Sequence, residues 1–406
     1  MATGLPPNMT DADNEWALRF CNIKAAWTQT PNPGGKSKGE GIVVAHPDTG
    51  HTRHPELRKG GRLLIDDGKN FYDENRSTTE DPLLGMFPLD FPSHGTGTAS
   101  VIMSAEGHPF TGQAPDPDFE EDYFMNVPGY PYKYSSAAFV TGVAPLAKVI
   151  PYRITNTVFL GEPESAALAK AIHHATGLRD RDPSPLDVGV ISISLGRDGR
   201  GVERNIQTAL FEARMRGTVV CGAAGQFLEY VASGFPPAFP GNDPSAISVG
   251  ACDYMHGELT TGFYGEAIDI TAPGVNIWRA WAESGGPTKF SVSQGTGTSH
   301  ATAVVAGACA LWQAHWGRKW LIDKYGAENI LDLFRIALTC SADTLNDTWD
   351  TARRGAGVLD VEALLKLDLT KLSGDRFVRL LAADIKTPLR EFSASFRSSA
   401  FYDESL

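Results

Sequence analysis

The amino-acid sequence predicts an α/β protein with a mostly parallel central sheet and helices on both faces of that sheet. Short apolar runs alternate with helical patterns through the middle of the chain. The runs are apolar on both faces, which is typical of strands buried between two helical layers. Residues 299–316 form a helical stretch that is apolar almost all round, so we expect this helix to run through the core.

The individual elements follow from apolar runs that end at turn residues. Buried strands are predicted at 41–46, 188–194, 217–223 and 246–251. Helices are predicted at 164–176 and 202–216, so that strands and helices alternate along the chain. This alternation favours parallel strands joined by crossover helices.

Composition excludes several classes of function. The chain has 406 residues, with 36 Lys and Arg against 48 Asp and Glu, and a formal net charge of −12. With this charge and no dense basic run, we expect neither nucleic acid nor a membrane surface as a partner. No run of apolar residues is long enough to span a bilayer. Oligomeric state is left open.

The five cysteines and the N-terminus bear on cellular location. The cysteines form no short-spaced pair, which argues against a disulfide framework and against a CxxC zinc site. Residues 1–7 have neither a basic region nor an apolar core, so they do not form a secretory signal. We therefore expect an intracellular, cytoplasmic protein, with a precursor trimmed before residue 1 as the open alternative.

Three turns carry reactive side chains next to glycines. Asp48 follows the first predicted strand in Pro-Asp-Thr-Gly, His94 opens a predicted helix in Ser-His-Gly-Thr-Gly, and Ser299 opens the apolar helix after Gly-Thr-Gly-Thr. Taken alone, each has an ordinary explanation as a turn, surface or N-cap residue. Together they supply a nucleophilic hydroxyl, a base and a carboxylate that orients the base.

These turns resemble the active-site blocks of the subtilisin-like serine peptidases (subtilases), which have the same Asp, His, Ser order along the chain. The resemblance extends over about residues 16–365. It includes 43–57 as the Asp block, 93–103 as the His block, 142–145 as the turn after the His helix, 190–196 as a substrate-binding strand, and 271–274 and 355–365 as later blocks. It implies a subtilisin-like three-layer α/β sandwich.

The resemblance also implies a domain organisation. Residues 16–368 are expected to form one peptidase domain with an insertion at 104–141, preceded by an extension at 1–15 and followed by a tail of unknown role at 369–406. No inhibitory domain precedes the predicted peptidase domain in this sequence.

The implied mechanism is hydrolysis of a polypeptide or peptide substrate by a serine endopeptidase, with no cofactor required for the chemistry. Ser299 would attack the scissile carbonyl, His94 would act as general base and acid, and Asp48 would orient His94. The Ser299 N–H would donate one hydrogen bond to the oxyanion.

The resemblance further implies a substrate-binding surface. Residues 157–160 and 194–196 would flank an extended substrate by strand addition. This surface would also include one wall and the floor of a pocket. The pocket would accept a large apolar side chain from the substrate residue before the scissile bond. The residues implied for this surface are Ser194, Leu195, Gly196, Ala223, Ala224, Gly225 and Gly234.

One position departs from the family's pattern. Gln226 stands where the family has the Asn that donates the second oxyanion hydrogen bond. Its amide is on a stem one methylene longer, so it must fold back to act as the donor. The alternative is that Gln226 points into solvent, which would leave a catalytically weak peptide-binding pseudopeptidase. A transpeptidase or macrocyclase using the same acyl-enzyme is also compatible with the sequence.

The insertion contains the weak candidates for a structural metal site. Acidic side chains could ligate calcium where many relatives carry a calcium-binding loop, but their spacing is not that of an EF-hand. A solvated acidic face is the alternative. The candidates are Asp116, Asp118, Glu120, Glu121 and Asp122.

Overall fold

Six parallel strands form the central sheet of the computed structural model, in the order β2-β1-β3-β4-β5-β6. The structure describes residues 10–85, 90–107, 138–197, 203–226, 236–283, 289–344 and 349–371. The strands are β1 (Val43–Asp48), β2 (Lys148–Arg153), β3 (Val188–Ile193), β4 (Val219–Ala223), β5 (Ile247–Cys252) and β6 (Ile270–Pro273). Two further strands, β7 (Ile277–Glu283) and β8 (Lys289–Gly295), pair with each other as an antiparallel hairpin.

Helices cover both faces of this sheet, as the sequence predicts. Among the described residues they are α1 (Trp16–Phe20), α2 (Ile23–Ala26), α3 (Pro55–Arg58), α4 (His94–Met103), α5 (Glu162–Gly177), α6 (Arg204–Met215), α7 (Thr298–Trp316), α8 (Arg318–Tyr325), α9 (Ile330–Ser341), α10 (Thr351–Arg354) and α11 (Val361–Lys366). None of the helices in these described ranges is long and apolar enough to cross a membrane.

The two faces of the sheet bury two separate apolar clusters. Val44 and Val190 point into the cluster that surrounds α7, whereas their neighbours Ala45 and Ile191 point into the cluster beneath α5 and α6. Successive strand residues face opposite sides, and both sides are covered, so the strands need apolar residues at every position. The apolar circumference of α7 has the same cause, because this helix contacts β3 to β6 on one side and α4 and α11 elsewhere.

The α7 cluster draws on residues from both ends of the described chain, from Trp16 to Leu369. Leu369 is the first residue of the predicted tail, and it is buried in this core. Residues 372–406 lie outside the described residues, and the domain bounds at 15, 104, 141 and 368 stay predictions.

The sheet topology brings the reactive turns together. The connection after β1 leads to β2 on one side, and the connection after β3 leads to β4 on the other, so the order reverses between β1 and β3. In open α/β sheets the crevice outside the carboxyl ends of the strands at such a point is where ligands bind. Asp48 ends β1, and Ser194 follows β3 directly.

Two strands of the sheet were not predicted from the sequence. β2 contains Pro151 and begins and ends with charged residues, which argues against a central strand. It lies at the edge of the sheet, where a proline is tolerated. β6 is only four residues long, too short for a pattern to stand out.

Candidate active site

Asp48 and His94 meet at the carboxyl end of β1. The Nδ1 atom of His94, the first residue of α4, lies 2.8 Å from Oδ1 of Asp48. Asp48 is fully buried, whereas 12% of the His94 side chain remains exposed. A cavity of about 940 Å³ has His94 in its wall. The imidazole therefore links a buried carboxylate to a space that a ligand can enter.

Asp48 is held in its ionised form. Burial raises its pKa, but the field and hydrogen bond of His94, the field of His46 and the N–H of Thr49 outweigh burial, so its pKa lies below the usual value. The Thr49 N–H donates to Oδ1 at 2.7 Å. An ionised carboxylate accepts only, so Nδ1 of His94 carries the proton and Nε2 is left as an acceptor.

Ser299 occupies the first turn of α7, directly after Thr298. Its Oγ donates to the backbone oxygen of Ser194 at 3.0 Å, and the Ser194 hydroxyl donates to the backbone oxygen of Ser299 at 3.0 Å. Within the described residues, Ser299 makes no hydrogen bond to His94. Ser299 and His94 nevertheless line the same cavity.

Gln226 folds back onto the start of α7 and does not extend into solvent. Its Oε1 accepts a hydrogen bond from the backbone N–H of Thr298 at 2.7 Å. Because a backbone N–H only donates, this bond fixes which end of the amide is the oxygen, and Nε2 is left to donate elsewhere. A Cβ on Gly297 would lie 3.1 Å from that oxygen, so the glycine gives the amide room.

The cavity wall includes most of the residues implied for substrate binding. Ser194, Leu195, Gly196, Ala223 and Gly225 line it. Gly234, implied as the pocket floor, lies outside the described residues. The five acidic calcium candidates also lie outside them: Asp116, Asp118, Glu120, Glu121 and Asp122. Among the residues that the structure describes, no group of His, Cys, Asp and Glu side chains could hold a metal ion.

Ala224 differs from its implied role, because it does not line the cavity. Its N–H donates to the oxygen of Val249 at 2.9 Å, and its own oxygen accepts from the N–H of Ala238 at 2.7 Å. Its side chain packs in a small buried cluster with Tyr264 and Ile268. In a strand-like segment successive side chains alternate, so Ala224 faces the protein while its neighbours face the cavity.

The two segments expected to flank a substrate are bonded to each other instead. The N–H of Gly196 donates to the oxygen of Val158, and the N–H of Leu160 donates to the oxygen of Gly196, both at 3.0 Å. Phe159 lies between them in sequence, with 45% of its surface exposed. The two segments are therefore paired with each other at Gly196 in this structure, and their role in flanking a substrate stays a prediction.

Asp81 is a site residue that the sequence analysis missed. One carboxylate oxygen accepts from the hydroxyl of Thr49 at 2.9 Å and from the N–H of Ser93 at 2.8 Å. Thr49 and Ser93 are the chain neighbours of Asp48 and His94, so one buried side chain fixes both turns relative to each other. Asp81 stands in a stretch without periodicity, and no motif signals it.

The other histidines near the site play no part in the Asp48–His94 contact. His300, which follows Ser299, lines the cavity and is buried. Burial, with the positive field of Arg279, holds its pKa well below the usual value, so it is neutral. His46 approaches Asp48 only to 3.9 Å and bonds to Thr98. The cysteines are free and buried.

Comparison with known proteins decides the family. A model of the subtilase family matches residues 39–336. The chain belongs to the subtilase family. Thermitase from Thermoactinomyces vulgaris is 27% identical over 321 residues, which cover 79% of this chain and 88% of thermitase. An extracellular protease from Xanthomonas campestris is 29% identical over 334 residues, which cover 76% of this chain and 50% of that protease. This chain thus spans about half of that relative's length.

A solved structure agrees on the fold. A protease from Pseudoalteromonas arctica superposes with a TM-score of 0.62 at 24% identity, covering 85% of this chain and 93% of that one. The subtilisin-like α/β fold predicted from the sequence is confirmed. This subtilase is a serine-type peptidase, and such chemistry requires no cofactor.

We predict that Asp81→Asn lowers kcat for peptide hydrolysis by roughly 10²-fold, because a displacement of about 1 Å at the reacting groups has this effect. The substitution removes the charge that accepts from Thr49 and Ser93. Initial rates and melting temperature measured on the same preparations give the test. Glu80→Gln is the matched control, because this neighbouring carboxylate pairs with Arg53 at the surface. Equal kcat values in both variants and the wild type would show that Asp81 has no positioning role.

Proposed function

We propose that this subtilase is an endopeptidase that forms an acyl-enzyme on Ser299, with His94 as general base and acid and Asp48 as the residue that orients His94. The observation that carries the proposal is the 2.8 Å contact between the Nδ1 of His94 and the buried carboxylate of Asp48. In the neutral imidazole this contact places the proton on Nδ1 and leaves Nε2 as the acceptor, and His94 and Ser299 line the same cavity. A base in this state can accept the hydroxyl proton.

The reaction begins when the Ser299 hydroxyl leaves Ser194 and donates to Nε2 of His94. Oγ attacks the scissile carbonyl while His94 takes the proton, and Asp48 stabilises the imidazolium that forms. His94 then gives the proton to the leaving amine, and the acyl group stays on Ser299. Water then enters, gives a proton to His94 and attacks the acyl carbonyl, and His94 returns that proton to Oγ of Ser299 as the ester bond breaks and the second product leaves as an acid.

Two donors are available to the negative charge that develops on the carbonyl oxygen. The Ser299 N–H lies in the first turn of α7, where backbone N–H groups have no partner within the helix. Nε2 of Gln226 is the second donor, since the other end of this amide is anchored on Thr298. Fixed donors at a helix N-terminus stabilise such a charge without reorganisation.

The pocket for the residue before the cut is expected to prefer large apolar side chains. Its described wall includes Leu195, Ala223, Ala238, Leu259 and Phe263.

Two carboxylates also line the cavity, but both have partners. Glu258 pairs with Arg353 at 3.0 Å, and Asp253 accepts from the N–H groups of Met255 at 2.8 Å and Gly257 at 2.7 Å. Glu258 is therefore charge-paired, and Asp253 is held in a turn by backbone donors.

Binding by strand addition requires the 158–160 segment to release Gly196. An extended substrate then makes the same backbone hydrogen bonds that Val158 and Leu160 make in the structure. The exchange replaces two internal bonds by two bonds to substrate, so its net cost is small. The exposed Phe159 ring moves with this segment and is free to contact the substrate.

The first test is covalent labelling. A fluorophosphonate forms a stable adduct with an activated serine, and we expect one adduct per chain on the wild type and none on Ser299→Ala. Ser194→Ala is the matched control and should still be labelled, because it removes the hydroxyl that bonds to Ser299 but keeps the nucleophile. A wild type that is not labelled, or a Ser299→Ala variant that is, would refute the assignment.

The same preparations separate hydrolysis from transfer. A peptide that contains a large apolar residue is incubated with and without an added amine nucleophile, and the products are identified by mass spectrometry. We expect hydrolysis products in both reactions. Amide products in place of acids would show a transpeptidase instead.

The second prediction concerns the oxyanion donor. We expect Gln226→Ala to lower kcat by about 10²–10³ with little change in KM, because the donated bond strengthens only in the transition state. Gln226→Glu keeps an acceptor for the Thr298 N–H but replaces the donor by a charged oxygen, so kcat should fall at least as far. A Gln226→Glu variant that retained wild-type kcat would show that Gln226 acts only as an anchor.

A further inference from the structure

Arg279 of β7 is a cationic side chain in the wall of the catalytic cavity that has no hydrogen-bond acceptor and no carboxylate partner among the described residues. It lines the cavity together with His94 and Ser299. It makes no hydrogen bond and no ion pair with any residue that the structure describes, and its Nη1 atom is buried without an acceptor. The buried polar groups of folded proteins are nearly always hydrogen-bonded, so this exception needs an explanation.

The fold makes room for this side chain at two glycines. A Cβ on Gly97 of α4 would lie 2.9 Å from Cδ of Arg279, and a Cβ on Gly295 of β8 would lie 2.1 Å from its Nε. Any larger residue at either position would collide with the arginine. The guanidinium carbon also lies 4.2 Å from the ring centroid of Trp281, a favourable cation–π contact. Arg279 is thus held by packing on several sides.

Among the residues that the structure describes, no carboxylate forms an ion pair with Arg279. Burial lowers its pKa to about 10, so it is still protonated at neutral pH. Its titratable neighbour is His300, whose Nε2 lies 2.5 Å from the same Cβ position on Gly295 and which is neutral. The two carboxylates in the cavity wall, Asp253 and Glu258, are engaged by their own partners. Arg279 is half-buried, and its buried Nη1 atom has no acceptor, which is unfavourable for a cation and which an anionic ligand would relieve.

The position of Arg279 assigns it to one half of the substrate. His94 passes its proton to the leaving amine, so the leaving-group half must lie on the side of α4. Arg279 packs against Gly97 of that helix, and β7 donates from the N–H of Ala280 to the hydroxyl of Ser100, also on α4, at 3.0 Å. Ser194 and Gln226, by contrast, follow strands of the central sheet.

We propose that Arg279 is a specificity residue that binds a carboxylate on the leaving-group side of the scissile bond. The proposal rests on the proposed function, because it uses the roles of Ser299 and His94. A carboxylate reaching the guanidinium would form charge-assisted hydrogen bonds in place of the missing partner. It could come from an Asp or Glu side chain after the cut or from the free C-terminus of a peptide.

The test uses peptides that share one acyl half. Three peptides with amidated C-termini carry Glu, Gln or Lys directly after the cut, and a fourth carries Gln followed by a free C-terminal carboxylate. For the wild type we expect kcat/KM to be roughly tenfold or more higher for Glu than for Gln, with Lys lowest, since charged hydrogen bonds have about this strength. If the fourth peptide alone is cleaved with a higher kcat/KM than the amidated Gln peptide, the carboxylate that binds comes from the free C-terminus.

Two variants separate charge from shape. Arg279→Met keeps a long side chain without charge and should bring the Glu to Gln ratio to about one, while Arg279→Lys should keep part of the preference. Fluorophosphonate labelling of Ser299, which needs no leaving peptide half, should stay unchanged in both variants, and melting temperatures report whether they fold.

The outcomes distinguish this proposal from the proposed function. A wild type that is labelled and hydrolyses all four peptides equally, or a preference that persists in Arg279→Met, would overturn the role of Arg279 and leave the endopeptidase intact. If Arg279→Met does not fold, the wild type and Arg279→Lys decide. The proposal is overturned if the ratio of kcat/KM for the Glu peptide to that for the Gln peptide is near one in the wild type, or if Arg279→Lys leaves this ratio unchanged. A wild type without labelling or hydrolysis would overturn both.

Discussion

The hydrogen bond between Asp48 and His94 is the interaction on which the rest of the site depends. A fully buried carboxylate is stable as an ion only where hydrogen-bond donors and favourable fields surround it, and here His94 and the N–H of Thr49 donate to Asp48. The bond fixes the protonated nitrogen of the imidazole and leaves the other nitrogen as a base. Asp48 lies at the carboxyl end of β1, next to the reversal of strand order, so the parallel sheet itself creates the position.

Two groups that the proposed reaction uses make internal hydrogen bonds in the structure. The Ser299 hydroxyl bonds to Ser194, and Gly196 bonds to Val158 and Leu160. Both features involve groups that the reaction needs free. Each bond contributes about 0.5–1.5 kcal/mol net to stability. A substrate that replaces these bonds by equivalent ones can therefore open the site without a large rearrangement of the fold.

Much of the fold, and the turns that carry the proposed reactive residues, could be predicted from the sequence. Asp48, His94 and Ser299 each stand in a short turn with glycines, and their order along the chain is that of the family. The strands that carry the site are continuous apolar runs, because helices cover both of their faces. These signals are local, which is why a single sequence contains them.

What could not be predicted depends on contacts between distant segments. The orientation of the Gln226 amide is set by the Thr298 N–H, 72 residues further along the chain. The pairing of Gly196 with Val158 and Leu160 uses backbone groups only, so no side chain in the sequence indicates it. Asp81 bridges two turns from a stretch without periodicity, and the isolation of Arg279 becomes visible only when its neighbours in space are known.

The central claim is that Ser299 and His94 act as a unit, and the most direct measurement is a double-mutant cycle. The kcat values of wild type, Ser299→Ala, His94→Ala and the double variant are determined with one peptide. Residues that act as a unit show strongly non-additive losses. We expect the double variant to be no slower than either single variant. Losses that multiply in the double variant would contradict the account, because they would mean that the two residues act independently.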